Sequence, residues 1–225
     1  MNCDRLVSML EKSALAYNKD EPNVQGEKKI WMDCCQCGVQ YYLKCREHVL
    51  EIAFRGTDSF QDWKTDFRFI KKTIPYGNQK TKIRIHSGFL EAYQNKCVRD
   101  TIHLYMNQNI RQVQITGHSY GAALALLCAV DLQYHYHDVD YEVVVFGCPR
   151  VGNKAFQTSY NKRIFKTFRV ENGNDIVTKL PLGLMGYRHV GIQIHIGKKR
   201  NPLCGSVKAH QLKNYYEKLW QDAYF

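Results

Sequence analysis

The spacing of hydrophobic positions changes several times along this chain, and each change marks an element. Over residues 3–17, Leu6, Val7, Leu10, Ala14 and Tyr17 share one helical face, which predicts an amphipathic helix. A polar stretch with Pro22 and Gly26 follows. Over residues 39–54 the period falls to two: Leu50, Ile52 and Phe54 alternate with Glu51 and Ala53, and two such segments flank Arg46-Glu47. That is the pattern of a β-hairpin. Strand-like segments recur at 111–116, 141–146, 163–170 and 190–196, and helical spacing fills 89–106, 122–136 and 211–220. Strand and helix therefore alternate after the hairpin. This order predicts an α/β fold, a central mostly parallel sheet with helices on both faces and antiparallel additions at an edge.

Composition narrows the classes. At 225 residues and 44% hydrophobic content, one sizeable core is expected, so residues 1–225 read as a single domain. The longest apolar run, Ala122 to Val130, is about half of the roughly 18 residues a membrane span needs. Asp4, Arg5, Glu11 and Lys12 interrupt the amino terminus, which therefore lacks the apolar core of a secretory signal. An intracellular, cytoplasmic setting is expected, and the nine cysteines are expected to be reduced thiols. Cys34, Cys35, Cys37 and Cys45 raise a zinc reading, but their spacing is not two CxxC pairs and the segment runs into a strand pattern, so no metal is expected. His135 and His137 are expected in solvent at a helix end.

The charge balance is +11, with Lys and Arg scattered in groups such as Lys28-Lys29, Lys71-Lys72 and Lys198-Lys199-Arg200. No run reaches the five or six like charges of a binding tail, so these read as solvated faces and no nucleic-acid partner is expected. The balance favours anionic surfaces.

Candidate chemistry centres on residues 111–132, RQVQITGHSYGAALALLCAVDL. An alternating strand ends in Gly117-His118-Ser119-Tyr120-Gly121, and a long apolar helix begins. A GxSxG string alone is weak, but between a strand and a helix it is a nucleophile elbow. Such a turn brings neighbouring backbone close, which is why both flanking positions are glycine. It also sets Ser119 at a helix amino terminus, where free N–H groups favour developing negative charge. These features point to an α/β-hydrolase fold with Ser119 as nucleophile.

A serine hydroxyl needs a base to take its proton and a third group to orient that base. In this fold the chain order is serine, acid, histidine. Asp175 follows the apolar run IFKTFRV and the turn Glu171-Asn172-Gly173-Asn174, at the carboxyl end of a strand. Asp131, Asp138 and Asp140 precede a strand, on the wrong edge. His210 stands just before a helix with Leu212, Tyr215, Tyr216 and Leu219 apolar. Its competitor His189 begins a strand and reads as structural; His195 alternates within that strand. His118 reads as a packing residue, and His48 and His86 carry no signal.

The sequence resembles the class 3 lipase family, the fungal-lipase-like branch of the α/β-hydrolases. The resemblance runs through FRGTDSFQDWKTDF, HSGFLEAY, ITGHSYGAALA, VFGCPRVGNKAF, ENGNDIVTKLP, YRHVG and AHQLKNYYEKL, in the family's order. It implies Ser119, Asp175 and His210 as the triad. It also implies an oxyanion hole formed by the N–H groups of Thr57 and Tyr120, and a lid helix at about 59–69. Within that segment Phe60, Trp63 and Phe67 share one helical face, and Ser59 with Asp62 suits a capping box. The alternative is a surface helix packed permanently on the core. The chain is expected to depart from secreted members in lacking a signal peptide, and 175–210 is compact.

The expected activity is hydrolysis of acyl esters of lipids, an acylglycerol by preference, with no metal or organic cofactor. The expected partners are that lipid ester and, transiently, a lipid or membrane surface. A phospholipase A1-type or soluble-ester carboxylesterase is the alternative within the enzyme class. Outside it stands a non-catalytic lipase-like binding module, which would have no need of all three triad positions.

Overall fold

A computed structural model describes residues 1–19, 28–57, 70–74, 81–198 and 205–224. The chain opens with α1 (Cys3–Leu15), capped by the Asn2 side chain, which accepts from the Arg5 N–H at 3.1 Å. Its buried stripe is Leu6, Met9, Leu10 and Ser13, close to the face expected from periodicity. Three antiparallel strands follow: β1 (Lys28–Cys34), β2 (Val39–Arg46) and β3 (Val49–Phe54). The last two are the expected hairpin.

Two short strands, β4 (Lys71–Thr73) and β5 (Arg84–His86), pair with each other. Next come α2 (Ser87–Gln94) and α3 (Lys96–Leu104), then β6 (Gln112–His118), α4 (Tyr120–His135), β7 (Asp140–Phe146) and α5 (Lys154–Arg163). The described chain finishes with β8 (Thr167–Asn172), β9 (Ile192–Ile196), α6 (Val207–His210) and α7 (Leu212–Tyr224).

The main sheet has seven strands in the order β1-β2-β3-β6-β7-β8-β9, and every pairing from β3 onward is parallel. Its central strands are buried on both faces, as a parallel sheet requires. In β7, Val143 and Val145 join the cluster containing α4, while Val144 and Phe146 join the one containing α1 and α7. Helix α4 sits deepest: residues 121–132 are buried all round, which explains a helix that is apolar on every side.

Differences from the periodic reading have local causes. The predicted helix at 89–106 is two helices, because Asn95 takes φ −54, ψ 130 and caps α3 by accepting from the Cys97 N–H at 3.1 Å. Helix α5 was invisible because KAFQTSYNKR buries only Phe156 and Tyr160.

The expectation of reduced thiols is overturned for one pair. A disulfide joins Cys34, at the end of β1, to Cys97 in the first turn of α3, across 63 positions. Folding lays the β1–β2 turn against α3 and brings the two Cα atoms to 6.1 Å, within bridging range. Such a bridge typically stabilises a fold by about 2–4 kcal/mol. Cys37 lies beside it, the three sulfurs falling within 4.8 Å of one another, whereas Cys35 and Cys45 are exposed. His135 and His137 are exposed at the end of α4 as expected. No helix among the described residues is long and apolar enough to cross a membrane.

Candidate active site

Ser119 stands between β6 and α4 with φ 57 and ψ −123, a conformation that residues with a side chain rarely adopt. The backbone is crowded on both sides of it. A Cβ on Gly117 would lie 2.5 Å from the Gly121 carbonyl oxygen, and one on Gly121 would lie 2.4 Å from that of Phe54 at the end of β3. Neither glycine tolerates a side chain, as the sequence pattern requires. Ser119 starts the helix through its carbonyl, which accepts from the Ala122 N–H at 3.1 Å.

Asp175 lies in the turn after β8 and is fully buried. Its Oδ2 accepts from His210 Nδ1 at 2.8 Å and from the Tyr215 hydroxyl at 2.6 Å, and its Oδ1 accepts from the Val177 N–H at 2.8 Å. Three donors thus compensate the buried carboxylate. Burial and the adjacent carboxylate push the Tyr215 phenol well up, so it stays protonated and donates.

The segment carrying His210 is tied to Asp175 through the backbone. The Ser206 N–H donates to the Asn174 carbonyl at 2.8 Å, the Ser206 side chain caps α6 at 3.0 Å, and Asn172 Nδ2 donates to the Ala209 carbonyl at 3.0 Å.

His118 is buried and holds two neighbours. Burial pushes its pKa down to about 3, so the ring is neutral and carries one proton. Nε2 faces the His210 carbonyl at 2.7 Å and must donate to it; Nδ1 therefore accepts from the Tyr17 hydroxyl at 3.0 Å. The Tyr17 oxygen in turn accepts from the Gly56 N–H at 3.1 Å. This relay links α1, the segment after β3, the elbow and the His210 loop, and the His118 ring stacks on the His210 ring at 4.5 Å. The packing role expected of His118 is real, but it also orients the histidine beside it.

Thr57 is exposed and follows Gly56, at which a Cβ would sit 3.3 Å from that of Ser119. Tyr120 begins α4 and packs on Phe89 with ring centroids 5.6 Å apart. Phe60, Trp63 and Phe67, with the whole 59–69 segment, lie outside the described residues.

His189 is elsewhere. Its Nε2 faces the Thr178 carbonyl at 2.7 Å, and burial holds its pKa well below the ordinary value. Asp131 sits near the far end of α4 in a cluster with Tyr93, Arg99 and His103, at 2.8, 3.1 and 2.8 Å. Its carboxylate is matched by the Arg99 guanidinium.

Sequence reasoning missed Tyr17, Gly147 and Tyr215. Both tyrosines were visible only as members of apolar helical faces. Gly147 has φ 58, and a Cβ there would meet His210 Cε1 at 2.8 Å, Nδ1 at 2.9 Å and Asp175 Oδ2 at 3.0 Å. Its signal was the glycine ending the strand-like run of β7.

The chain resembles known proteins. A family description, Lipase (class 3), matches residues 51–185. A lipase of Rhizomucor miehei is 32% identical over 151 residues, 64% of this chain and 41% of that protein. The chloroplastic phospholipase A(1) DAD1 of Arabidopsis thaliana is 31% identical over 147 residues, 58% of this chain and 33% of that protein. The matched stretches thus span well under half the length of these relatives. Among solved structures, one described as a triacylglycerol lipase with a serine protease triad superposes with a TM-score of 0.75 at 24% identity, covering 92% of both chains. The fold is that of the α/β-hydrolases.

Proposed function

Because this chain belongs to the class 3 lipase family, we propose that it hydrolyses acyl esters of lipids, acylglycerols by preference, through an acyl-enzyme on Ser119. The observation that carries the reading is the buried Asp175–His210 pair at 2.8 Å, clamped against His118 immediately before the elbow serine. Ser119 Oγ attacks the ester carbonyl as His210 Nε2 takes its proton. The imidazolium is stabilised by Asp175 and then protonates the leaving alcohol, and water repeats the sequence to release the fatty acid.

The N–H groups of Thr57 and Tyr120 serve the oxyanion. One donor of this kind is worth about 3–4 kcal/mol in the transition state. The lid role is assigned to the segment with Phe60, Trp63 and Phe67 from its sequence alone. The Cys34–Cys97 disulfide favours an oxidising compartment over the intracellular setting expected from the amino terminus.

Gly147→Ala probes the pair directly. A methyl group pressed on His210 and Asp175 is expected to lower kcat by about 10²-fold, the cost of roughly 1 Å of misplacement, with KM little changed. Unaltered kcat in a folded variant would place the imidazole elsewhere.

The phospholipase A1-type reading is favoured by the likeness to the Arabidopsis enzyme, and one triad serves both substrates. The test compares wild-type hydrolysis of emulsified triacylglycerol, phosphatidylcholine vesicles and a soluble short-chain ester, with mass-spectrometric location of a fluorophosphonate label. Turnover with the label on Ser119 supports the mechanism, and the fastest substrate decides between the lipid classes. No turnover and no label would return the binding-module reading. A rate that stays flat as substrate passes from monomers to droplets would sink the lid.

A further inference from the structure

The loop after the Asp175 turn exposes apolar side chains while most of its carbonyls already have partners within the protein. Leu182, Leu184 and Met185 are 50%, 99% and 39% exposed, in a segment, 179–189, that contains no acidic residue. Single exposed apolar side chains are ordinary, but three within four residues at a loop apex are not.

Six carbonyls between Lys179 and Met185 accept from groups within the protein. Arg150 Nη1 donates to the carbonyls of Lys179 and Pro181, the latter at 2.9 Å, and the Arg150 N–H donates to that of Leu180 at 2.7 Å. The Leu182 carbonyl accepts from the Met185 N–H at 3.0 Å. That of Gly183 accepts from the Gly186 N–H at 3.0 Å and from Arg188 Nη1 at 2.8 Å. Lys71 Nζ donates to the Met185 carbonyl at 2.5 Å. On the chain just before Lys71, Ile70 is 53% exposed.

Water solvates exposed carbonyls without help from cationic side chains. In hydrocarbon the same groups must find partners inside the protein, because each unsatisfied one costs several kcal/mol. We infer that the Leu182–Met185 apex is an interfacial anchor, inserting its side chains below the headgroups of an anionic phospholipid bilayer. Lys71, Arg150, Lys179 and Arg188 form the basic collar at its base. A collar of this sign is attracted by an anionic surface, and long cationic stems reach from an apolar layer to its headgroups. The loop begins only a few residues after Asp175, and Arg150 follows Gly147 by three, so an anchored apex holds the ester site at the lipid surface.

The inference deepens the lipid-ester reading and rests on it for the kind of surface; its test requires no turnover. Retention on vesicles of phosphatidylcholine with phosphatidylserine is measured by flotation for wild type and Leu184→Asp. Leu184 touches nothing that folding requires, so the thermal midpoint should not move, while retention should fall at least about tenfold. Leu184→Trp should keep retention and show an emission blue shift on adding vesicles, beyond that of wild type. Equal retention of the Leu184→Asp variant, or no added shift from Leu184→Trp, overturns the anchor. If retention depends on Leu184 yet no ester is cleaved, the catalytic reading fails and the anchor stands.

Discussion

Ser119→Ala is expected to lower kcat on every ester substrate by about 10⁶-fold, with the fold intact. The elbow leaves one nucleophile in position: the side chain at φ 57 between two glycines that admit no Cβ. Removing Oγ removes the bond-forming atom and keeps the Cβ, so alanine meets the same backbone constraint as serine. Loss of one member disables such a unit nearly as completely as loss of all, and what survives comes from binding and the oxyanion donors. Steady-state hydrolysis of a soluble ester, corrected for fluorophosphonate-titratable sites in the wild type, measures the ratio. A variant within about a hundredfold of wild type would mean that another group attacks the ester.

Asp175→Asn is expected to cost about 10⁴-fold in kcat. The carboxylate faces three donors: His210 Nδ1 and the Tyr215 hydroxyl on Oδ2, and the Val177 N–H on Oδ1. An amide offers one oxygen and one NH₂ group. If the oxygen turns to His210 and Tyr215, the NH₂ confronts the Val177 N–H; if it turns to Val177, the NH₂ confronts His210 and Tyr215. In the second case His210 is driven to the tautomer whose Nε2 already carries a proton and takes none from Ser119. Neither rotamer of asparagine keeps all three partners paired while leaving His210 Nε2 free to take a proton. The same experiment with a fluorophosphonate should show labelling slowed in proportion, because acylation of Ser119 needs the same base. Labelling at the wild-type rate would show that Asp175 does not orient the catalytic imidazole.

The histidine assignment shows what could be read without coordinates. Position alone separated His210 from His189: one stands before a helix after the last strands, the other opens a strand. The structure puts His210 on Asp175 and occupies His189 with the Thr178 carbonyl. His118 was legible only as a neighbour of the serine, because its bonds to Tyr17 and His210 cross 101 and 92 positions. The cysteine expectation fails for the same reason: read from the amino terminus as reduced thiols, the nine carry no local sign that the partner of Cys34 is 63 positions away.

What the chain determines by itself is local or ordinal. Gly117, Ser119 and Gly121 between a strand and a helix dictate the elbow, because backbone sterics act between residues a few positions apart. Alternating strand and helix patterns dictate the parallel sheet and, with it, the serine, acid, histidine order. Only the tertiary structure decided that Tyr17 and Tyr215 are polar partners of the site rather than core fillers, that Gly147 must lack a side chain, and that Arg150, Arg188 and Lys71 bind the carbonyls beneath Leu184. Those outcomes depend on which buried donors meet which acceptors across the packed layers. A hydroxyl at the end of an apolar ring satisfies the hydrophobic period equally well whether or not an acceptor awaits it.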